Sequence, residues 1–344
     1  MTLTPLPRPQ ILPEPCSLRG SSAEGVAILY ENDAWLGDLF ERLRERGVPF
    51  QPIPMQDAAL WLDDPPAVPL AFNKVSPSSY VRGHGPAIPF ARALLDVLSL
   101  HGRRVVNGAR AFRHETSKVA QHLLYAGLGI PTPRTLLFNA RDGALAAARG
   151  FPFPAILKPD CGGSGAYVHA VDSPADLAEL LASEREAFGP DHLLLLQERI
   201  DSTAGIVRTE FVDGELVYAM RVFATNTFNL CPADTCEREA ADATASAPPK
   251  VDFEPYPDIP AAAVAQGREI LRAAELDVGG VEFIEAPDGR RVVIDVNATS
   301  VYRPEICRAF GVDGLGKLVD FLERELYKEI AKGGAARRIG GRAG

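Results

Sequence analysis

The sequence predicts an α/β protein of two or three domains. Its 344 residues are too many for one small core. The composition, with 46% hydrophobic and 24% charged residues, is ordinary for a globular protein and argues against disorder along the whole chain. Strand and helix patterns alternate in the first half, and two strand pairs joined by tight turns follow in the second half.

The first domain is predicted from a strand, helix and strand pattern that follows a proline-rich arm at residues 1–20. Residues 25–30 are an apolar run typical of a buried strand, apolar side chains recur at helical spacing over 35–46, and residues 48–53 form the next strand. Strands that are connected by a helix lie parallel, so we expect a parallel sheet.

This pattern continues with a strand near residues 68–73 and a helix near 90–100, and we place the domain at residues 21–113. The first strand and helix are not joined by the Gly-x-Gly-x-x-Gly turn that marks a dinucleotide site. We therefore interpret the domain as a scaffold that can lend residues to a substrate pocket.

The next segment, placed at residues 114–196, begins with a helix predicted over 115–127. Lys118 lies in the first turns of this helix. Lysines on helix surfaces are mostly just solvated, so Lys118 alone is weak evidence for a site. A further helix is predicted over 174–188.

A glycine-rich loop in this segment is a candidate for phosphate binding. It consists of Gly162, Gly163, Ser164 and Gly165, and it follows a strand over 155–158 that ends in Lys158. Consecutive glycines let backbone N–H groups approach phosphate oxygens, and a lysine buried beside them needs an anionic partner. The loop lacks the G-x-x-x-x-G-K-[ST] pattern that leads into a helix, so an ordinary glycine-rich hairpin is the alternative.

Two arginines lie on a predicted hairpin in the third segment, which we place at residues 197–331. The strands cover 207–211 and 215–223 and carry Arg208 and Arg221. Like charges near each other across a hairpin destabilise it unless they share an anion. We therefore expect the two arginines to clamp one anion, with a solvated pair as the alternative.

A second hairpin is the candidate metal site, with strands over 281–284 and 292–296 joined by an Asp-Gly turn. Asp295 and Asn297 point to the same face because side chains alternate along a strand, and Glu282 shares that face if the register is right. Three such oxygen ligands suit Mg²⁺. The alternative is a hairpin whose polar residues face solvent.

The remaining segments are predicted as connections and helices. A buried strand over 193–200, with four leucines followed by Gln-Glu, is expected to emerge at a cleft. Residues 240–260 are rich in Ala, Pro and Asp and predict a flexible loop. Helices are predicted over 261–275 and 316–331, and the basic, glycine-rich tail at 332–344 is predicted to be disordered.

Charge, apolar runs and cysteines argue against several classes of protein. The net charge of -9 opposes nonspecific binding to nucleic acid. No apolar run approaches the roughly 20 residues of a membrane-spanning helix, and the N-terminus does not resemble a signal peptide. The five scattered cysteines fit a reducing cytoplasm better than a disulfide framework. Cys231 and Cys236 form an isolated C-x₄-C, for which a metal or redox site is a minor alternative to plain packing.

Taken together, these motifs resemble those of the ATP-grasp ligases. In chain order they are a helical lysine, a strand lysine before a glycine-rich loop, a Gln-Glu-x-Ile hinge, arginines on a hairpin, and an acid followed by Asp-x-Asn on successive strands. Each motif is weak, but their order over residues 116–300 is specific. The sequence is most similar to the RimK-like branch of carboxylate-amine ligases, which includes peptide and protein glutamate ligases. The resemblance implies an α/β architecture, the ATP-grasp fold with an N-terminal Rossmann-like pre-ATP-grasp domain.

The resemblance also implies roles for individual residues, with ATP bound between two lobes and its adenine against the hinge. The implied cofactor-binding residues are Lys118, Lys158, Gly162, Gly163, Ser164, Gly165, Gln197, Glu198, Arg199, Ile200, Asp201 and Asn229. The implied metal ligands are Glu282, Asp295 and Asn297, for two Mg²⁺ ions with Mn²⁺ as an alternative. The implied catalytic residues are Lys158, Arg208 and Arg221, the arginines holding the acyl phosphate and the substrate carboxylate.

The sequence departs from the family pattern in three places. No acidic residue stands shortly before Arg208 to bind the ribose, and Asp201 is the available replacement. Residues 298–304 replace the usual Ala-Ser-Pro-Gly, and residues 228–231 replace a more basic segment. These differences fall on the acceptor side, so the resemblance does not identify the substrates.

The implied activity is ATP-dependent formation of an amide or peptide bond through an acyl phosphate, with release of ADP and phosphate. The expected substrates are an amino acid, a peptide or a related small carboxylate, together with an amine. A nucleotide-binding protein that keeps the fold without turnover, in a regulatory role, is the alternative. We expect no nucleic-acid or membrane partner, and the sequence leaves the oligomeric state open, a homo-oligomer included.

Overall fold

The computed structural model describes residues 16–18, 25–183, 188–225, 227–228 and 250–340. Several predicted features lie outside these residues, namely most of the proline-rich arm, Asn229, Cys231, Cys236 and residues 240–249 of the predicted loop. Within the described ranges, no helix combines the length and the apolar character needed to cross a lipid bilayer.

The N-terminal domain is a parallel sheet covered by helices on both faces. Its elements are β1 (Cys16–Leu18), β2 (Val26–Tyr30), α1 (Gly37–Glu45), β3 (Phe50–Pro54), β4 (Ala58–Leu60), β5 (Leu70–Asn73), α2 (Ala87–Leu100) and β6 (Arg104–Val106). The strand order is β3-β2-β5-β6, and every pair is parallel. Ile28 packs with α1, and the next residue, Leu29, packs with α2, so the sheet is buried on both sides. The predicted parallel α/β domain is confirmed.

The middle lobe is an antiparallel sheet, and its later helices, at 141–147 and 174–183, cover one face. Its elements are α3 (Ala109–Glu115), α4 (Lys118–Gly127), β7 (Thr135–Phe138), α5 (Arg141–Ala147), β8 (Ala155–Pro159), β9 (His169–Val171), α6 (Pro174–Ser183) and β10 (Leu194–Glu198). The strand order is β7-β10-β8-β9. Leu157 and Leu194 pack with Leu177 of α6, which leaves the neighbouring residue Lys158 on the opposite face.

The C-terminal lobe is a five-stranded antiparallel sheet. Its elements are β11 (Ile206–Val212), β12 (Glu215–Thr225), β13 (Lys250–Pro255), α7 (Ala261–Ala274), β14 (Val278–Glu285), β15 (Arg291–Asn297), α8 (Pro304–Phe310) and α9 (Gly314–Gly340). The strand order is β13-β12-β11-β14-β15, so both predicted hairpins are confirmed.

Two boundaries differ from the prediction. Residues 250–255, which we assigned to a flexible loop, form β13, because the alternating apolar Val251 and Phe253 pack on the core beside the long strand β12. The last helix was predicted to end at residue 331 but continues to Gly340. The alanines and arginines at 335–338 favour a helix strongly enough to outweigh two glycines.

Helix α7 lies close against the C-terminal sheet because it has a glycine at the contact point. A Cβ atom on Gly267 would lie 2.8 Å from the ring of Phe211, which is fully buried on β11. Val207, Ile270 and Phe283 belong to the same apolar cluster. This packing fixes which face of the sheet is covered by α7 and which face is left for the site.

We predict that Gly267→Ala destabilises the protein, although alanine favours a helix more than glycine does. The added methyl group would collide with Phe211, and overpacking of this kind typically raises the free energy of the fold by about 1–3 kcal/mol. Gly143→Ala is the matched control, because Gly143 of α5 has no atom within 4 Å of the added Cβ. Urea unfolding should show opposite signs for the two variants, and equal stabilisation would contradict the packing argument.

Candidate active site

A cavity of about 1400 Å³ lies between the middle and C-terminal sheets and reaches the N-terminal domain. Small-molecule sites usually measure roughly 300–1000 Å³, so this cavity has room for more than one small ligand. The glycine-rich loop and β8 line one wall, and β11, β14 and β15 line the other. Trp35, Ser76 and Pro77 of the N-terminal domain also line it, as expected for a scaffold that lends residues to a pocket.

Lys158 of β8 is a cation of the cavity wall that is buried without a counter-ion among the described residues. Its residue is only 9% exposed, and its ammonium group has no hydrogen bond or ion pair to any residue that the structure describes. Burial and, to a smaller extent, the nearby Lys118 lower the pKa of Lys158 to about 8, against the opposing effect of Asp295. A buried ammonium group without a partner is unfavourable, so this position calls for an anion.

Lys118 lies on the same side of the cavity, in the first turn of α4. Ser117 caps the helix by accepting a hydrogen bond from the backbone N–H of Ala120. The ammonium group of Lys118 lies 3.3 Å from each carboxylate oxygen of Asp295. Burial alone would lower the pKa of Lys118, but Asp295, together with Glu282 and Glu115, raises the pKa above its ordinary value.

The glycine-rich loop packs against the N-terminal domain while facing the cavity. A Cβ atom on Gly163 would lie 3.3 Å from the side chain of Pro77, and the ring of Tyr167 stacks on Tyr80 at 6.1 Å. Gly165 has φ of 71°, in the left-handed region that glycine adopts readily. All four loop residues line the cavity, so the loop's backbone is available to a ligand there.

The three predicted metal ligands share one face, because a bulge between Glu282 and Phe283 supplies the register that the sequence left open. Glu282 pairs directly with Asp295 in the β14–β15 register, and Asn297 follows two residues later. Asn297 donates from Nδ2 to Glu282 Oε1 at 3.4 Å. All three residues line the cavity, and burial raises the pKa of Glu282 in spite of the adjacent Arg208.

The donor set fits an ion that takes part of its shell from a substrate. Two carboxylates and one amide are hard oxygen ligands, which Mg²⁺ prefers, and Mg²⁺ commonly completes its shell with water and phosphate oxygens. Within the described ranges, no group of three or more His, Cys, Asp or Glu side chains is placed to bind a metal by itself. A metal held here would therefore need ligands from outside the chain.

The predicted clamp of Arg208 and Arg221 is wrong. Arg208 pairs with Met220 and Glu282 and faces the cavity, whereas Arg221 pairs with Val207 and points to the face covered by α7. Arg221 donates to Glu285 at 2.5 Å, and its guanidinium lies 4.1 Å from the ring centre of Tyr256. Each arginine is thus neutralised by its own carboxylate, on opposite faces of the sheet.

The predicted hinge lines the cavity, but the predicted ribose residue does not. The hinge residues in the lining are Gln197, Glu198, Arg199 and Ile200. Their strand is anchored by backbone bonds, with Glu198 donating to Arg134 O at 2.8 Å and Arg199 donating to Pro154 O at 3.1 Å. Asp201 is exposed, accepts a bond from the Thr203 backbone at 2.9 Å and lies outside the lining.

Solved structures with a similar fold were found, although no family model matches the chain. The RimK-domain ATP-grasp protein from Sphaerobacter thermophilus has a TM-score of 0.63 and 22% identity, over 86% of this chain and 98% of that one. The ATP-grasp ligase PsnB with a minimal precursor has a TM-score of 0.61 and 18% identity, over 88% and 99%. The D-Ala:D-Ser ligase VanG from Enterococcus faecalis has a TM-score of 0.64 and 14% identity, over 88% and 98%.

This chain has the ATP-grasp fold. The fold predicted from the motif order is therefore confirmed, and the cavity between the two sheets is the cleft of the ATP-grasp core. The predicted residues that the core brings together here are Lys118, Lys158, Gly162, Gly163, Ser164, Gly165, Gln197, Glu198, Arg199, Ile200, Arg208, Glu282, Asp295 and Asn297. Their individual roles stay predictions, as does the role of Asn229, which lies outside the described residues.

Sequence reasoning missed a group of buried polar side chains, from the N-terminal domain and from α3 and α4, that bind the chain at the end of β15. We call residues 296–300 the post-strand segment, since it begins at the end of β15. Three side chains donate hydrogen bonds to its carbonyl oxygens: Gln121 to Val296 O at 3.0 Å, Asn107 to Ala298 O at 2.9 Å and Lys74 to Ser300 O at 2.8 Å. The carboxylate of Glu115 accepts a hydrogen bond from the backbone N–H of Ala298. Lys74 directly follows β5, where the carboxyl ends of parallel strands meet, and that position is the signal that was available.

Two members of this group have shifted pKa values because they are buried. Burial lowers the pKa of Lys74 to about 8, although Glu115 and Glu210 act in the opposite direction. Burial raises the pKa of Glu115 to about 7, against the bonds it accepts from Ala298 and Thr299. Near neutral pH, both groups therefore lie close to a change of charge.

We predict that Lys74→Met reduces the rise in the free energy of unfolding that accompanies an increase in pH above 8. The ordinary lysine pKa is about 10.4, so between pH 8 and 10.4 the unfolded chain binds more protons at residue 74 than the folded protein does. Wild-type stability should therefore rise with pH in this window, by up to about 1.4 kcal/mol per pH unit for one such group. Urea unfolding between pH 7 and 9.5 measures the slope.

The Lys74→Met variant should keep only the smaller rise that Lys158, with its similarly lowered pKa, contributes. Lys328→Met, at an exposed position on α9, should keep the full wild-type slope. An unchanged slope in Lys74→Met would contradict a buried, charged Lys74.

Proposed function

We propose that this protein is an ATP-dependent carboxylate-amine ligase that forms an amide or peptide bond through an acyl phosphate. The ATP-grasp fold supports this proposal, as does the collection of its expected charged residues in one cleft. The proposed reaction consumes ATP, a carboxylate and an amine, and it releases ADP and phosphate.

The observation that carries the proposal is Lys158. Its ammonium group is buried, unpaired within the described residues and directed to the cavity beside the glycine-rich loop. A polyphosphate would supply the negative charge that this position lacks, and the loop backbone would supply N–H donors. A glycine-rich hairpin without a ligand would leave the buried charge of Lys158 uncompensated.

Glu282, Asp295 and Asn297 are the residues that would hold the metal. Bound Mg²⁺ would supply positive charge that offsets the charge of the phosphates during transfer, and we propose two ions, as the resemblance implies. The chain's own contribution is a set of oxygen ligands on one rigid hairpin, with Asn297 held near Glu282.

The proposed chemistry needs no side-chain nucleophile. An oxygen of the substrate carboxylate attacks the γ-phosphorus of ATP, and the bond from that phosphorus to the bridging oxygen of ADP breaks. The amine nitrogen then attacks the acyl carbon, phosphate leaves with the bonding electrons, and the nitrogen loses a proton. Catalysis therefore rests on positioning and on neutralising charge.

Lys158, Lys118 and Arg208 are the cations available for that task. Arg208 donates from Nε to Glu210 at 2.6 Å and from Nη1 to Glu282 at 2.7 Å. These two bonds fix the guanidinium and leave Nη2 without a partner in the described part of the chain, so it can donate to an acyl phosphate. Arg221 faces away from the cavity, and we propose a structural role for it instead.

The substrates are proposed only by class. PsnB is an ATP-grasp ligase with structures in complex with a precursor peptide, and VanG is a D-Ala:D-Ser ligase. The volume of the cavity, about 1400 Å³, supports simultaneous binding of the nucleotide and a second substrate. We therefore propose an amino acid or a peptide as the carboxylate substrate.

We predict carboxylate-dependent ADP release from Mg-ATP, measured against pools of amino acids and short peptides with hydroxylamine present to trap the acyl phosphate. Asp295→Asn and Lys158→Met should each lower this rate at least about a hundredfold, because each loses a charge that acts on the phosphates. Lys328→Met, an exposed lysine outside the cavity, should retain the wild-type rate.

Two outcomes of this assay would contradict the proposal. A wild-type rate in Asp295→Asn would remove the residue from the reaction. Tight ATP binding with no ADP release for any pool would favour the alternative of a nucleotide-binding protein without turnover.

We predict that the two hairpin arginines respond differently to substitution. Arg208→Lys should lower the rate of ADP release at least tenfold, because lysine cannot bridge Glu210 and Glu282 and also reach a ligand. Arg221→Lys should leave the rate within about twofold and lower the free energy of unfolding by about 1 kcal/mol, through loss of the contact with Tyr256. A loss of rate for both variants alike would restore the clamp that the sequence suggested.

A further inference from the structure

Both carboxylates of the candidate metal site are already paired with cations of the chain. Lys118 lies 3.3 Å from both oxygens of Asp295, and Arg208 lies 2.7 Å from Glu282. Cations of the chain therefore already contact the carboxylate oxygens that a metal ion would need as ligands.

The two pairs differ in how firmly they are held. Arg208 is bound by a second carboxylate, Glu210, which is fully buried, so the guanidinium is fixed from two sides. Lys118 has Asp295 as its ion-pair partner, at a longer distance, and its flexible side chain lies in the cavity. Lys118 can therefore leave its carboxylate without disturbing the sheet, whereas Arg208 cannot.

The balance of charge disfavours a free divalent cation. Lys118, Lys158 and Arg208 offset the three carboxylates Glu282, Asp295 and Glu210, so no carboxylate of the site is left without a cation of the chain. A polyphosphate changes this balance, because it brings several negative charges to the side of the cavity where both lysines lie. The ammonium group of Lys118 would then be drawn from Asp295 to the phosphates, and the oxygens of Asp295 would become available.

We propose that Lys118 acts as an internal counter-ion that occupies Asp295 until a nucleotide binds, so that the divalent cation enters the site only together with the nucleotide. This inference rests on the proposed function for the identity of the anion. It goes beyond that function because it assigns Lys118 two successive partners and sets the order in which the ligands bind.

The test measures binding of Mn²⁺ to nucleotide-free protein at pH 7, from the electron paramagnetic resonance signal of the free ion. Wild type should bind weakly, and Lys118→Met should bind at least tenfold more tightly. Lys158→Met is the matched control, since it removes a nearby lysine that is not paired with Asp295. The double variant Lys118→Met with Asp295→Asn should lose the gain, which locates the ion at this carboxylate.

A second measurement adds a nucleotide. ADP or a non-hydrolysable ATP analogue should tighten Mn²⁺ binding to wild type at least tenfold, because each ligand favours the binding of the other. The effect on Lys118→Met should be smaller, because Asp295 has no lysine to release in that variant. Equal Mn²⁺ affinities of nucleotide-free wild type and Lys118→Met would overturn the inference. So would an equal gain in Lys158→Met, which would indicate a general effect of charge.

These results are separate from the proposed function. A wild-type protein that fails to bind nucleotide at all would refute the ligase proposal. The comparison of nucleotide-free variants tests the pairing of Lys118 with Asp295 by itself.

Discussion

The attachment of the post-strand segment to the N-terminal domain and to helices α3 and α4 is the constraint on which the site depends. β15 is an edge strand, so the backbone beyond it has no neighbouring strand to satisfy its polar groups. Buried side chains from a distant part of the chain take that role, namely Lys74, Asn107, Glu115 and Gln121. Buried polar networks of this kind are strong when every member is satisfied. They therefore hold Asn297 and the cavity wall beyond it in one position.

Charge compensation inside the cleft follows from the same packing. Arg208 lies between Glu210 and Glu282, and Lys118 lies on Asp295, so most of the buried charges are neutralised without a ligand. Lys158 is the exception, with its lowered pKa and no partner among the described residues. A fold can keep one uncompensated charge when the rest of the site is satisfied, and that charge then favours binding of an anion.

Sequence patterns succeeded where the relevant contacts are local. The patterns predict the β14–β15 hairpin and the shared face of Asp295 and Asn297, whereas Glu282 joins that face only because a bulge between Glu282 and Phe283 shifts the pairing by one residue. They failed for Arg208 and Arg221, because a shift of one residue in strand pairing moves a side chain to the opposite face. Lys74 belongs to no motif, and its contact with Ser300 spans 226 positions of the chain, so local pattern could not reveal it.

The sequence by itself determined the α/β class, both hairpins of the C-terminal lobe, the glycine-rich loop beside Lys158 and the shared face of Asp295 and Asn297. These properties depend on turns and on side-chain alternation within a few residues. Only the tertiary structure decided which cation meets which carboxylate. Lys118 and Asp295 are 177 positions apart, and their contact exists because α4 and β15 pack on each other. Ion pairs between distant segments are set by the packing of whole elements, which no local pattern specifies.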